Sequence, residues 1–394
     1  MIIIKNKNKI MIINAKSKTG LSGFYIVFDG STMNEKPGWF GISHLMEHLV
    51  CKSFEHMQDA YQQKNIKWNA YTSNTEVVFF MKGLDRHINT YKKEFIDLIL
   101  NYNPTQEQLD NEKKIVLEEY KMSFNSQGES HYMNLYRKIF NYYGPIGLRS
   151  DIENFTLQDC KEYLDLYYKK PTKIINISKH NDFENNIEFR DKINAKIFEI
   201  NINNNLHIIN SDNVTEVPKG MIPLEIITDY KNKISIINLS PIITKDFNYI
   251  SFVCEMLGSG LNSPLYKEVR EKLGLVYGIS CFTDKLNNSS CLIGIITDTS
   301  FKNVDTVQNQ IKLVLENKEK YLTQERFDIV KDSYLTKLEE SEILNYSNIG
   351  KYIDDPEWRI ETIINTITLQ DVYNIVDKYL KWCDIYKSID KTEF

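Results

Sequence analysis

The chain has 394 residues and a formal net charge of −5, with 48 basic against 53 acidic side chains. It has no basic block, and no apolar run approaches the length of a membrane span, so we expect neither nucleic acid nor a membrane as a partner. The hydrophobic fraction of 42% suffices for ordinary buried cores, and the length predicts about two or three domains.

The N-terminal segment predicts a β-hairpin, with strands at Ile2–Ile4 and Ile10–Ile13. Lysines interrupt this segment, and it lacks the apolar stretch and small-residue cleavage site of a signal peptide. The six cysteines are scattered without a Cys-x-x-Cys pair, which is typical of reduced, mostly buried thiols. These features together predict a cytoplasmic location.

A metal-binding pattern follows in the run Gly41-Ile-Ser-His-Leu-Met-Glu-His-Leu49. On a helix, His44 and His48 stand one turn apart on the same face, with Glu47 beside them. Two imidazoles so placed can hold one Zn²⁺, while the carboxylate reaches a water on the same ion. This His-x-x-Glu-His order is the signature of the inverzincins. The alternative is a solvated helix with two surface histidines.

A second helix is predicted over Asn111–Met122, which contains good helix formers and neither Gly nor Pro. Glu112 and Glu119 are two turns apart in this segment, so both carboxylates project from one face. A hydrolytic zinc site needs three protein ligands and an open position for water, and this helix could supply the third ligand. The alternative is a surface helix of exposed Glu and Lys side chains.

An internal duplication is visible in two short runs. Thr105-Gln-Glu-Gln-Leu-Asp110 returns as Thr323-Gln-Glu-Arg-Phe-Asp328, and Thr156-Leu-Gln-Asp159 returns as Thr368-Leu-Gln-Asp371. Two matches in the same order, at nearly equal offsets, predict two copies of one α/β unit. The predicted strands are Phe24–Phe28, Trp68–Leu84 (more than one strand) and Lys173–Ser178 in the first copy, and Ile234–Leu239, Val276–Phe282 and Cys291–Asp298 in the second.

The metal motif and the glutamate pair some seventy residues beyond it resemble the M16 peptidase family. The resemblance implies an α+β fold with two duplicated α/β domains, each a mostly antiparallel sheet packed with helices. We therefore predict a catalytic domain at residues 1–197 and a homologous domain at 227–394. The Asn-rich stretch 198–226 between them is predicted to be a linker.

The same resemblance assigns roles at the metal site. It implies that His44, His48 and Glu119 bind one Zn²⁺ per chain. Glu47 is then the general base, and Glu112 is a supporting carboxylate that does not bind the metal directly. The second copy has no His-x-x-Glu-His, so it cannot form a second site of this kind.

Two further runs extend the resemblance to substrate binding. The first resembles the family's edge strand and implies peptide contacts by Asn69, Ala70, Tyr71 and Thr72. The second, from Leu257 to Tyr277, resembles the hallmark of the second domain and implies substrate contacts by Arg270 and Tyr277. The chain is about half the length of the four-domain members, which implies a homodimer or pairing with a related subunit.

These observations predict a zinc-dependent endopeptidase that hydrolyses short or unfolded peptides. One alternative is a non-catalytic scaffold or regulatory subunit of the same family, and another is a protein that sequesters zinc without turnover. Glu47 favours the peptidase, because neither scaffolding nor storage requires a general base beside the metal.

Overall fold

The computed structural model describes residues 2–7, 10–17, 19–125, 143–179, 225–228, 232–241, 244–285, 290–344, 360–380 and 384–390. The chain divides into two compact units, with the main division between residues 201 and 202. Most of the predicted linker, residues 198–224, lies outside the described residues. Its last two positions, Glu225 and Ile226, begin the first strand of the second unit.

The first unit is built on a sheet of six described strands in the order β1-β2-β6-β3-β5-β4. Neighbouring strands are antiparallel except β2 and β6, which are parallel. Strand β4 therefore forms one edge of the sheet. The strands are β1 Ile2–Lys7, β2 Ile10–Lys16, β3 Leu21–Phe28, β4 Lys67–Thr72, β5 Val77–Leu84 and β6 Lys173–Ser178.

Helices cover one face of this sheet because alternate strand residues on that face are apolar. Phe24 and Phe28 of β3 belong to the same buried core as Leu45 and Leu49 of the first helix. The helices of this unit are α1 Ile42–Cys51, α2 Gln58–Gln63, α3 Asp85–Leu100, α4 Gln106–Asn125, α5 Arg149–Asn154 and α6 Leu157–Tyr163.

The second unit has its own core and a sheet of five described strands in the order β7-β11-β8-β10-β9. The strands are β7 Glu225–Thr228, β8 Asn232–Pro241, β9 Ile279–Lys285, β10 Ser290–Thr299 and β11 Asp384–Asp390. The helices are α7 Thr244–Gly258, α8 Val304–Glu316, α9 Lys318–Tyr321, α10 Gln324–Leu344, α11 Ile360–Thr366 and α12 Leu369–Ile375.

The predicted duplication is confirmed by strand order. Without β1, the first sheet reads β2-β6-β3-β5-β4, and the second repeats it position by position as β7-β11-β8-β10-β9. In both sheets the first two strands of this series are parallel and the others antiparallel. Thr156 and Thr368 both form capping boxes, with Asp159 and Asp371, and a short π-helix follows each capped helix. The α+β fold with duplicated, mostly antiparallel units is thus confirmed.

One predicted strand begins later than expected. The sequence predicts Val276–Phe282, whereas β9 begins at Ile279. The Tyr277 carbonyl accepts a hydrogen bond from Arg270 Nε, and the Gly278 carbonyl accepts one from the Thr297 hydroxyl. These side-chain bonds satisfy the backbone before the sheet ladder begins.

Four of the six cysteines have described side chains. No disulfide joins Cys51, Cys160, Cys254 or Cys281, and Cys160 and Cys254 are buried. Within the described part of the chain, no helix combines the length and apolar character needed to cross a bilayer.

A buried polar network joins α3 to the sheet of the first unit. The carboxylate of Asp85 accepts hydrogen bonds from the hydroxyls of Ser22 and Ser178 and from the Lys179 backbone. The amine of Lys92 donates to the amide oxygen of Asn176, which lies on β6. The hydrogen bonds to Asp85 outweigh its burial and lower its pKa, so its ionised form stabilises the fold.

We expect Asp85→Asn to lower the free energy of unfolding by about 2–3 kcal/mol at pH 7, because the hydrogen bonds that converge on Oδ1 lose their charged acceptor. The pKa of Asp85 is lower in the folded state, so its contribution is present above the unfolded value and is lost as the pH falls below it. Urea unfolding measures both effects. Asp97→Asn, on the exposed side of α3, is the control and should change stability by less than about 0.5 kcal/mol. Equal losses for the two variants would contradict this role.

Candidate metal centre

Helix α1 presents the sequence motif on a partly buried surface. Its apolar residues, including Leu45 and Leu49, are buried in the core of the first unit. The side chains of His44 and His48 are only 17% and 19% exposed, and their rings meet edge to face with centroids 4.7 Å apart. Their Nε2 atoms are 3.2 Å apart, so both point to one place.

Helix α4 brings the third donor to the same place. Glu119 Oε2 lies 3.6 Å from the Nε2 atoms of both His44 and His48. Ligand bonds of about 2.1 Å at tetrahedral angles would set donor atoms roughly 3.4 Å apart. The observed separations of 3.2 and 3.6 Å match that spacing. Two imidazoles and one carboxylate form the donor set of a hydrolytic zinc site, so these residues fit the metal.

The protonation state of His44 also suits a ligand. Burial, helped by the neighbouring His48, lowers the pKa of His44 to about 3. Its ring is therefore neutral at pH 7, and only a neutral imidazole can bind a metal ion.

Glu112 occupies the supporting position predicted for it. It is buried, and its Oε2 lies 3.3 Å from His48 Nδ1, the ring nitrogen that faces away from the donor cluster. Its other oxygen forms an ion pair with Lys52 Nζ at 2.9 Å. Glu112 and Glu55 raise the pKa of Lys52, which keeps the amine charged. A carboxylate behind a histidine ligand fixes the ring's tautomer and orientation.

Lys52 was not among the residues predicted for the site. It lies four residues after His48, so it follows the histidines along the same side of the helix. That spacing was a usable signal, although an isolated lysine after a helix is more often a surface residue.

Glu47 is close to the donor cluster but is held by a different partner. It is 9% exposed, and burial raises its pKa. The hydroxyl of Thr72, on β4, donates a 2.6 Å hydrogen bond to Glu47 Oε2, which opposes that rise together with His48. The predicted general base is thus a mostly buried carboxylate beside the two histidines.

The predicted substrate strand is the sheet edge β4, and its residues alternate in direction. Ala70 is buried and Thr72 reaches α1, whereas Asn69 and Tyr71 are exposed on the opposite face. Strand β4 pairs with β5 on one side, and no described strand pairs with its other side. The four predicted contact residues therefore form two sets, and Thr72 faces the predicted base.

The N-terminus of α1 is held by a carboxylate that sequence reasoning missed. Glu35 accepts hydrogen bonds from the backbone N–H groups of Gly41 and Ser43, both at 2.9 Å, and from the Ser43 hydroxyl. It is buried, and that burial raises its pKa to about 8. No recognisable motif surrounds Glu35, so only its place in the fold reveals this contact.

Two glycines allow a loop to approach the same helix end. Gly41 has φ of 101° and Gly147 has φ of 72°, conformations that favour glycine. A Cβ on Gly147 would lie 2.4 Å from Gly41 Cα, so any other residue would displace the helix start or the loop. The Phe40 N–H donates to Asp151 at 3.1 Å, which adds a further anchor.

The second unit brings its two predicted residues together. Arg270 lies in a short π-helix, Tyr266–Glu271, and its Nε donates a 2.6 Å bond to the Tyr277 carbonyl. Its guanidinium stands over the rings of Tyr266 and Tyr277, at 4.5 and 5.9 Å from their centroids. Tyr277 is 89% exposed, so its hydroxyl is available to a ligand.

An inverted His-x-x-Glu-His helix and a carboxylate from a second helix, in a duplicated α+β fold, define a metallopeptidase of the inverzincin class. Comparison with known families supports the same class. Residues 10–144 match the family model described as insulinase (peptidase family M16), and residues 154–334 match the peptidase M16 inactive domain. The chain therefore belongs to the M16 peptidase family. Proteins named as zinc proteases are among its relatives.

Two similar proteins cover most of the chain, and a third covers less than half of it. An uncharacterized zinc protease of Rickettsia felis is 21% identical over 357 residues, which span 86% of this chain and 84% of that protein. The crystal structure of a protease from Helicobacter pylori superposes with a TM-score of 0.79, at 18% identity, over 99% of both chains. A probable mitochondrial-processing peptidase subunit beta of Arabidopsis thaliana is 22% identical over 41% of this chain and 32% of its own.

We expect Glu119→Gln to remove bound zinc, because the uncharged amide replaces one of three donors. Glu112→Gln should instead weaken zinc binding by about 10- to 100-fold, since it only orients His48. Zinc content after dialysis, measured by atomic absorption, separates the two. Glu118→Gln, an exposed neighbour paired with Lys121, is the control. Equal zinc content in native and Glu119→Gln protein would refute the ligand assignment.

Proposed function

We propose that this chain is a zinc-dependent endopeptidase that hydrolyses short or unfolded peptides. The observation that carries the proposal is the position of Glu47, a mostly buried carboxylate beside three donors that match a zinc site. In this proposal His44, His48 and Glu119 bind one zinc ion per chain. A zinc ion in such a site acts as a Lewis acid and makes water nucleophilic near neutral pH.

The residues around the metal have separate roles in this proposal. Glu47 accepts the proton of the attacking water and passes it to the leaving amine. Glu112, held by Lys52, keeps the His48 ring in the orientation that directs Nε2 to the donor cluster. The raised pKa of Glu47 makes its carboxylate a stronger base toward the attacking water.

The edge strand suits extended substrates. An exposed strand edge offers backbone N–H and C=O groups to a peptide that adds as a further strand. We propose that the peptide pairs with β4 at Asn69–Thr72, where exposed Tyr71 would contact a substrate side chain. Folded proteins cannot present such a segment, so they should be poor substrates.

We assign the remaining substrate contacts to the second unit. The Arg270 guanidinium can grip a carbonyl or carboxylate, and the exposed Tyr277 hydroxyl can donate to the oxygen that gains charge during attack. These roles remain proposals, as do domain boundaries at 1–197, 198–226 and 227–394.

Assembly and location are also proposed. The Arabidopsis relative is by its name one subunit of a processing peptidase, which supports a homodimer or pairing with a related subunit. We propose a cytoplasmic location from the scattered cysteines, which form no disulfide among the described side chains, with peptides rather than nucleic acid or membranes as partners.

We expect the native protein to hydrolyse a quenched fluorescent peptide library and to lose this activity after chelation. Glu47→Gln should lower kcat by about 10²- to 10⁴-fold while zinc content stays unchanged, because only proton transfer is removed. Glu118→Gln is again the control. Hydrolysis that persists in Glu47→Gln would refute the base assignment. Zinc binding without hydrolysis in native protein would favour the scaffold or zinc-storage alternative.

A further inference from the structure

The side chain of Thr72 points away from the outer, exposed residues of β4 and toward the predicted general base. Its hydroxyl donates to Glu47 Oε2 at 2.6 Å, a short bond to a mostly buried carboxylate. We propose that Thr72 is a positioning residue, which holds the Glu47 carboxylate in its working orientation. This inference rests on the proposed peptidase function and refines the earlier view of Thr72 as a substrate contact.

The backbone around Thr72 is fixed from two sides. Thr72 is the last residue of β4 and pairs with Val77 in the ladder with β5. The turn beyond it is closed by the Ser73 N–H, which donates to the Glu76 carbonyl at 2.8 Å. The Met33 N–H also donates to the Asn74 carbonyl, at 3.2 Å, and ties the turn to the loop before α1. The hydroxyl is therefore presented from a rigid support.

Glu47 needs such a partner because its own side chain has several rotatable bonds. The next residue of the helix, His48, is a proposed ligand, and the carboxylate must stay near the ion without binding it. Thr72 engages one oxygen, Oε2, and leaves Oε1 to accept a proton from water. A donor that fixes one oxygen selects one orientation of the carboxylate.

The same strand also serves the proposed substrate. A peptide paired with β4 takes its register from the backbone that carries Thr72. Strand β4 thus carries both the hydroxyl that orients the base and the backbone groups that align the scissile bond. Through Thr72, the strand that binds the substrate also sets the orientation of the base.

The test compares Thr72→Val, Thr72→Ser and native protein. Val keeps the shape and removes the hydroxyl, whereas Ser keeps the hydroxyl. We expect Thr72→Val to lower kcat by about 10- to 100-fold, because one hydrogen bond to a charged group is lost. KM and zinc content should change by less than about twofold. Thr72→Ser should recover most of kcat. Thr75→Val, in the adjacent turn, is the matched control and should behave as native.

Crystal structures of the native protein and Thr72→Val supply a measurement that does not depend on activity. We expect the Glu47 carboxylate in one orientation in native protein and displaced or multiple in Thr72→Val. An unchanged carboxylate, or an effect on KM alone, would overturn the inference. Loss of zinc in Thr72→Val would overturn it as well. Inactive native protein would refute the proposed function, while the two structures would still decide the role of Thr72.

Discussion

The crossing of α1 and α4 in the first unit is the contact on which the rest depends. This crossing sets three donor atoms 3.2 to 3.6 Å apart. Two imidazole nitrogens and a carboxylate oxygen attract one another little, so their mutual contact adds little stability. Packing elsewhere must hold them, because buried polar groups without partners are costly. The apolar residues of α1 provide that support, and Val116 of α4 belongs to the same core as Leu45 and Leu49. The fold thus holds together a donor set that a bound cation would stabilise further.

The second unit contains counterparts of α1 and α4 that lack the metal donors. Helices α7 and α10 follow β8 and β10 as α1 and α4 follow β3 and β5. In the first unit, α1 and α4 carry the candidate metal donors. In the second unit, an ion pair between Glu255 and Lys337 joins α7 to α10. The Arg326 guanidinium also donates to the carbonyls of Glu255 and Met256, at the end of α7. One architecture therefore supports a metal centre in one copy and ordinary ionic packing in the other.

Sequence patterns predicted those parts of the site that repeat locally. Residues four apart in α1 and seven apart in α4 share a helix face, so spacing pairs His44 with His48 and Glu112 with Glu119. The resemblance to the M16 family is what selects Glu119 as the ligand. The contacts that Glu35 and Thr72 make with α1 could not be predicted, since each residue reaches the helix from a separate segment and a single Glu or Thr has no periodicity. The resemblance implied only a substrate contact for Thr72. The alternation of β4 implies that Ala70 and Thr72 share a face, but only tertiary packing decides which face meets α1.

Formal charge explains why Lys52 belongs with the centre. Glu47, Glu112 and Glu119 place three carboxylates around two imidazoles, and Lys52 forms an ion pair with Glu112. Lys52 also pairs with the exposed Glu55. Without Lys52 the buried Glu112 carboxylate would lack its cation partner. The lysine therefore lets a buried carboxylate orient His48 at an acceptable cost. Glu119, whose side chain is 40% exposed, instead directs Oε2 toward the Nε2 atoms of the two histidines.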